Sequence, residues 1–246
     1  MSDQGRVDWQ AQLLRFTLFT PGVSPEFQTI WRNITGRDPD VDENRARESI
    51  RRQSGPVGNR QLETVVTLGR VDVVMVPALE DGLPAMYFGQ AEAEIPGFVS
   101  LIGPWLDQIA QVVNIVRLAF GAVLLLTVED RNAGYRELDR LLTSVKVDPV
   151  STREMLYRVN RPKPYADGLE LNRVTTWNSG TRQTFGLSAS AGQPSMPISE
   201  EFYVRLEVDN NTPAQRTEPL EPSKIVPIFQ TLVKMALENA LRGEIP

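Results

Sequence analysis

Residues 157–177 (YRVNRPKPYADGLELNRVTTW) hold the side chains best suited to recognising a ligand: Arg158, Asn160, Arg161, Lys163, Asn172 and Arg173, set among Tyr157, Tyr165 and Trp177. The near-repeat Val159-Asn160-Arg161 and Leu171-Asn172-Arg173 aligns on two strands if the Pro-rich run between them is a loop. A guanidinium grips carboxylate or phosphate with two parallel hydrogen bonds, and an aromatic ring stacks on a base. Paired Asn-Arg groups beside rings therefore suit a carboxylate, a phosphate or a nucleobase. This makes Arg158, Asn160, Arg161, Asn172, Arg173 and Trp177 the candidate binding set. The same residues also fit the solvated face of an antiparallel sheet, neutralised by Glu170, Glu207 and Asp209.

Those three carboxylates form the second constellation. Glu207 and Asp209 stand at i and i+2, so a strand puts them on one face, and Glu170 falls in a neighbouring strand. Two acids so placed can share a magnesium ion or divide into an acid and a base. Arg205 shares their face and opposes that use, and no lysine stands beside them. A third group, Asp38, Asp40, Asp42 and Glu43, lacks the glycine and closing glutamate of a calcium loop and reads as solvated charge.

The chain contains no histidine and no cysteine. That removes Ser-His-Asp chemistry, imidazole acid–base catalysis, thiolate nucleophiles and His- or Cys-ligated metals. The phosphate-loop pattern GxxxxGK[ST], GxGxxG and GxSxG are also missing from the sequence. No cofactor is expected, and an enzyme is disfavoured. The 22 arginines against 4 lysines suit interface ion pairs, although a GC-rich genome produces the same bias. At a net charge of −5 the whole chain does not read as a polyanion binder, so nucleic acid is an alternative partner and not the favoured one. The most apolar stretch, residues 101–128, contains Asp107, Asn114 and Arg117 and does not read as a membrane span. Residues 1–12 are polar, without an apolar run and cleavage site, which makes a cytoplasmic location the expectation.

The elements that must position these residues follow from spacing. Residues 13–20 alternate as a strand, with Leu14, Phe16 and Leu18 against Arg15 and Thr17. Ser24 and Pro25 open a helix through Phe27, Ile30, Trp31 and Ile34 to Gly36. Residues 37–61 are a polar excursion, with a short surface helix over 42–53 anchored by Ile50 and turns at Gly55-Pro56 and Gly58-Asn59. Strands are predicted at 62–68, 70–77 and 84–89, the last two joined through residues 80–83. A helix is predicted over 98–118, then a buried strand over 122–128 and a helix over 130–145. Asp148-Pro149 marks a boundary between subdomains 1–148 and 149–246. Beyond it, strands are predicted at 155–160, 169–178, 181–188 and 201–209, with Asn178-Ser179-Gly180 as a tight turn and 188–197 as a loop. In 202–209 Phe202, Val204, Leu206 and Val208 face one way, and Tyr203, Arg205, Glu207 and Asp209 the other. The closing helix spans 223–242, capped by Ser223 and ended at Gly243, and covers the apolar face of that strand. The fold class is α+β: mixed or antiparallel sheets with packed helices.

Tyr157-Arg158-Val159-Asn160-Arg161-Pro162, Leu171-Asn172-Arg173-Val174 and Arg205-Leu206-Glu207-Val208-Asp209-Asn210-Asn211-Thr212, followed by the amphipathic helix, give the last ~100 residues their likeness. They resemble a loosely defined family of uncharacterised bacterial proteins in which an LE-x-D-x-N-T strand precedes a closing helix. The resemblance implies that architecture and a bacterial origin, and it transfers no functional residue. The leading functional expectation is a non-enzymatic binding or assembly subunit of a bacterial multi-protein system, with a protein partner and no membrane. The alternatives are a metal-dependent hydrolase or nuclease using Glu170, Glu207 and Asp209, and a nucleic-acid-binding component of a phage-defence system.

Overall fold

The computed structural model describes residues 7–22, 24–80, 83–185 and 197–245. In chain order the elements are β1 (Gln10–Phe19), a 3-10 turn (Pro25–Thr29) running into α1 (Ile30–Thr35), β2 (Val41–Arg45), β3 (Ile50–Val57), β4 (Arg60–Thr67) and β5 (Arg70–Pro77). The small pair β6 (Leu79–Glu80) and β7 (Leu83–Pro84) leads to α2 (Ala91–Ile109), β8 (Arg117–Val128) and α3 (Arg131–Leu141). Then come β9 (Leu156–Asn160), β10 (Lys163–Pro164), β11 (Glu170–Phe185), β12 (Pro197–Asn211) and α4 (Pro222–Arg242).

The strands build one ten-stranded antiparallel sheet in the order β10-β11-β12-β8-β1-β5-β4-β3-β2, with β9 alongside β10 on the outer edge of β11. The class is α+β, and the last helix packs on the sheet. Position 148/149 falls in the connection between α3 and β9. The strands on either side of it meet directly where β12 pairs with β8 from Phe202↔Val128 to Asn211↔Ala119. One hydrophobic cluster joins Leu14, Phe16 and Trp105 to Trp177, Leu206 and Phe229.

The helices all lie on one side. Phe229 of α4 meets Phe16 edge-on at 4.8 Å, and Trp105 of α2 meets Phe16 at 6.2 Å. Trp31 of α1 lies against Gly55, and Gly134 of α3 lies against Ser179. Directly opposed residues of an antiparallel pair point to the same side. By register Phe16, Gly55 and Ser179 all belong to the side that carries Trp177, Leu206 and Leu62. Among the described residues the other side of the sheet carries no helix.

Several local expectations are corrected. Residues 42–53 form the β2–β3 edge hairpin instead of a helix. Ile50 alone gives a helix nothing to bury, whereas β4 offers a ready hydrogen-bonding edge, and the Arg51–Asp42 (2.6 Å) and Arg52–Glu63 (2.9 Å) pairs fasten it. Gly55-Pro56 consequently lies within β3, and the turn is at Gly58-Asn59. Asn178-Ser179-Gly180 is no turn either: β11 runs straight through it, because β12 pairs opposite every one of these residues. Gly180 instead makes room for the Tyr203 ring, since a Cβ there would stand 2.8 Å from the ring. Of 84–89 only Pro84 is in a strand, while Phe88 and Gly89 bond the backbone of Ala11 (2.9 and 2.8 Å). The second helix begins at Ala91 and passes through Pro104, held by buried Phe98, Ile102 and Trp105, then stops at Ile109 and leaves Val112 exposed. The closing helix starts at Pro222, whose missing N–H and fixed φ suit a first turn, so Ser223 is inside it. Of the loop over 188–197, residues 188–196 lie outside the described residues.

Candidate functional site

Three rows of opposed residues cross the helix-free face. The central one runs Asn160, Val174, Asp209, Gly121, Arg15, Val74 and Glu63. Beside it run Arg158, Thr176, Glu207 and Val123 on one flank, and Asn172, Asn211, Ala119, Thr17 and Asp72 on the other. Strand alternation separates the two sides: the inward positions of β1 and β8 are Leu, Phe, Val and Ala, while the alternate positions carry Arg15 and Thr17 on β1 and Arg205, Glu207, Asp209 and Asn211 on β12, with β8 contributing Arg117 beside the buried apolar Ala119, Val123 and Leu125.

Amides bind the flank together. Asn160 donates to Asn172 Oδ1 (2.9 Å), and Asn172 donates to Asn211 Oδ1 (2.9 Å), so one chain of side-chain bonds spans β9, β11 and β12. Asn160 Oδ1 also accepts the Arg173 backbone N–H at 3.1 Å. Several arginines are neutralised within the face. Arg70 grips Asp72 with two bonds (2.7 and 2.9 Å) while the Thr17 hydroxyl donates to the same carboxylate (2.6 Å), and Arg205 pairs with Glu207 at 2.9 Å.

Three arginines of the face are different. Among the described residues the side chains of Arg15, Arg117 and Arg158 have no hydrogen bond or salt bridge. Arg15 leans over Gly121: its Nε and one terminal nitrogen lie 3.4 Å from where a Cβ would stand. Arg117 leans the other way, its guanidinium 4.4 Å from the centre of the Phe19 ring. The Nε of both is buried without a partner. Burial lowers the Arg117 pKa and neighbouring Arg70 adds to this, while Asp209 opposes it.

The structure divides the candidate binding set. Arg158, Asn160 and Asn172 belong to the open face. Trp177 is fully buried on the helix side, edge-on to Trp9 at 6.1 Å, and its Nε1 donates to Thr175 (3.1 Å). Arg173 is buried on that side and reaches Glu238 of α4 at 3.4 Å. Arg161 donates to Glu244 just beyond α4 and to Ser144 Oγ (2.7 Å). Glu244 is enclosed, its side chain 1% exposed, and also takes the Tyr157 hydroxyl (2.7 Å) and the backbone N–H groups of Thr143 (3.0 Å) and Ser144 (2.9 Å). Burial pushes its carboxyl up, but the bonds from Arg161, Tyr157 and Ser144 outweigh it and bring the pKa down from 4.5 to about 2. The same contact raises the pKa of Arg161 and of the Tyr157 hydroxyl. A sharp strand-to-strand repeat in the sequence thus resolves into one open-face member (Asn160, Asn172) and one helix-side member (Arg161, Arg173) of each pair.

The three carboxylates do not converge. Glu207 and Asp209 share the open face, but Glu170 lies six residues along β11 from Thr176, the residue opposite Glu207. At strand spacing that is about 20 Å. Among the described residues no group of three acids, histidines or cysteines could hold a metal ion.

No protein-family model matches the chain, and no curated protein matches it in sequence.

Among the described residues no helix is long and apolar enough to cross a membrane. Arg15 and Arg117 stood outside the candidate set at the level of sequence. The alternation in residues 13–20 already turned Arg15 and Thr17 away from the apolar positions, and Arg117 showed only as a charge interrupting an apolar run. What brings them onto one face is the β1–β8 register, Arg15↔Gly121 and Phe19↔Arg117, which joins segments a hundred residues apart.

Proposed function

We propose that this chain is a non-enzymatic binding or assembly subunit of a multi-protein system, and that the helix-free face of its sheet docks a protein partner. The observation that carries this reading is that, among the described residues, Arg15 and Arg117 near the centre of that face and Arg158 on its flank have no hydrogen bond or salt bridge, while neighbouring arginines are neutralised. Charged groups arranged this way favour a partner of complementary pattern and steer its approach. The amide chain of Asn160, Asn172 and Asn211 ties the side chains of the β9–β11–β12 flank to one another, which lowers the ordering cost of binding there. A sequence without histidine or cysteine, and acids spread along two strands, support recognition over catalysis.

The test is affinity recovery from the source cells. Arg158→Glu combined with Thr176→Glu reverses the charge on one flank of the face, and Lys234→Glu on the exposed side of α4 is the control. The wild-type chain and the Lys234 variant are expected to retain the same copurifying proteins, and the open-face double variant to lose them. Equal recovery with all three would sink the proposal.

A further inference from the structure

We infer that Arg15 and Arg117 form an anchoring site for carboxylate side chains, Asp or Glu, of the docked protein. This rests on the open face being the docking surface and names the group it takes.

The two bases stand four residues apart along β8, counted from Gly121 opposite Arg15 to Arg117 itself. That is roughly 13 Å at strand spacing, and each guanidinium is carried on a long flexible stem. The floor between them is Ala119 and Thr17, both buried, with the Thr17 hydroxyl already committed to Asp72. The space between the arginines therefore has donors at both ends of a floor whose own hydroxyl is committed, with Asp209 at its border as the nearest acid. Gly121 is what allows Arg15 to lie down over β8, and Phe19 is what holds Arg117 over β1. In both residues Nε is already withdrawn from water and unbonded, so the desolvation that an incoming anion normally exacts is partly done. A planar carboxylate meets a guanidinium edge with two bonds, the geometry these side chains leave free.

Charge on the rest of the face selects the kind of anion. Asp209 is directly across from Gly121, Asp72 across from Thr17, and Glu207 one row away. A nucleic-acid backbone, with a charge at every nucleotide, would be drawn across these acids, whereas isolated carboxylates fit between them. Arg117 is also less basic than an ordinary arginine, because burial together with the nearby Arg70 outweighs the pull of Asp209, and a carboxylate placed against it offsets that loss.

The test follows the arginine Nε–Hε resonances of the purified full chain during titration with a capped Gly-Glu-Gly-Glu-Gly peptide, with inorganic phosphate and with a ten-nucleotide oligothymidylate. Saturable shifts of Arg15 and Arg117 with the peptide are expected, with affinity falling roughly tenfold or more in Arg117→Gln, as for loss of one charged hydrogen bond. If Arg15→Gln with Arg117→Gln fails to fold, Arg15→Lys with Arg117→Lys keeps the charge, removes the planar fork and is expected to weaken the peptide as well. Stationary resonances, peptide binding unchanged in the Gln or Lys pair, or tighter binding of phosphate or oligothymidylate would each overturn the assignment. If partner recovery depends on the face while these resonances do not move, the docking reading stands and only the anchor is lost.

Discussion

A single buried carboxylate shows how a recognition-like motif becomes a fastener. Glu244 collects Arg161, Tyr157 and two backbone N–H groups, tying the end of α4 to β9 and to the segment after α3. Its folded-state pKa of about 2 lies below the ordinary 4.5, so the ionised form is the one folding favours. The stability it supplies is complete above pH 4.5 and disappears as the pH falls through about 2. The shift corresponds to ~3 kcal/mol. Glu244→Gln is therefore expected to lower stability at pH 7 by about 2–3 kcal/mol, because it leaves Arg161 without its counter-charge. Urea titrations at a series of pH values check this, with the gap between wild type and variant closing as the pH drops from 4.5 toward 2. A gap that stays constant over that range means the pairing contributes nothing.

At the scale of elements, the end of α4 is set by Gly243. Its φ of +76° is a left-handed conformation, and a Cβ there would stand 2.4 Å from the backbone oxygen of Leu141. Gly243→Ala meets both the strain and a clash with main chain that cannot rotate away, and the next residue is the fastener Glu244. A loss of roughly 3 kcal/mol is expected, seen as a lower thermal midpoint. Substitution of Gly97, with open space around its Cβ position, is the comparison that separates this from ordinary helix effects. The same scale explains what the sequence disclosed. The helix of residues 222–242 and the strand around 202–209 were legible because each has an apolar stripe of one period and packs on the other. The turn expected at Asn178-Ser179-Gly180 was wrong because local turn chemistry competes with pairing to the fifteen-residue β12 along one side of β11, and the pairing wins. The helix expected over 42–53 was wrong because charges with no apolar stripe take whatever edge is offered. For the candidate site, period-two alternation showed which strand residues share a face but not which strands are neighbours. Asn160 and Asn172 were therefore legible, and Arg117 was not.

At the scale of the molecule, the centre of the sheet is assembled from remote parts of the chain: β1 from the start, β8 from the middle and β12 from near the end. All three strands have each edge occupied, and the apolar side of the sheet is closed by α4, which buries Ile225, Ile228, Phe229, Leu232 and Ala236. At about 1.5–3 kcal/mol for each large side chain, removing this helix forfeits on the order of 10 kcal/mol, comparable to the whole stability of a typical domain. A chain ended at residue 221 also loses the Trp9 Nε1–Ala240 bond (2.8 Å) and the Asn210–Leu232 bond (2.8 Å), so a buried indole and a buried amide are left unpaired. Such a chain is expected to show no cooperative urea transition and to expose apolar surface to a fluorescent dye, and a chain of residues 1–148, lacking β12 as well, to behave the same way. A sharp transition in the first would mean that the sheet holds without α4, and in the second that β1, β5 and β8 hold together without the C-terminal strands. Because every helix is spent on one side, the arginine-bearing side has its shape fixed by packing behind it, and the loss of α4 is expected to abolish partner recovery even though none of its residues belong to the docking face.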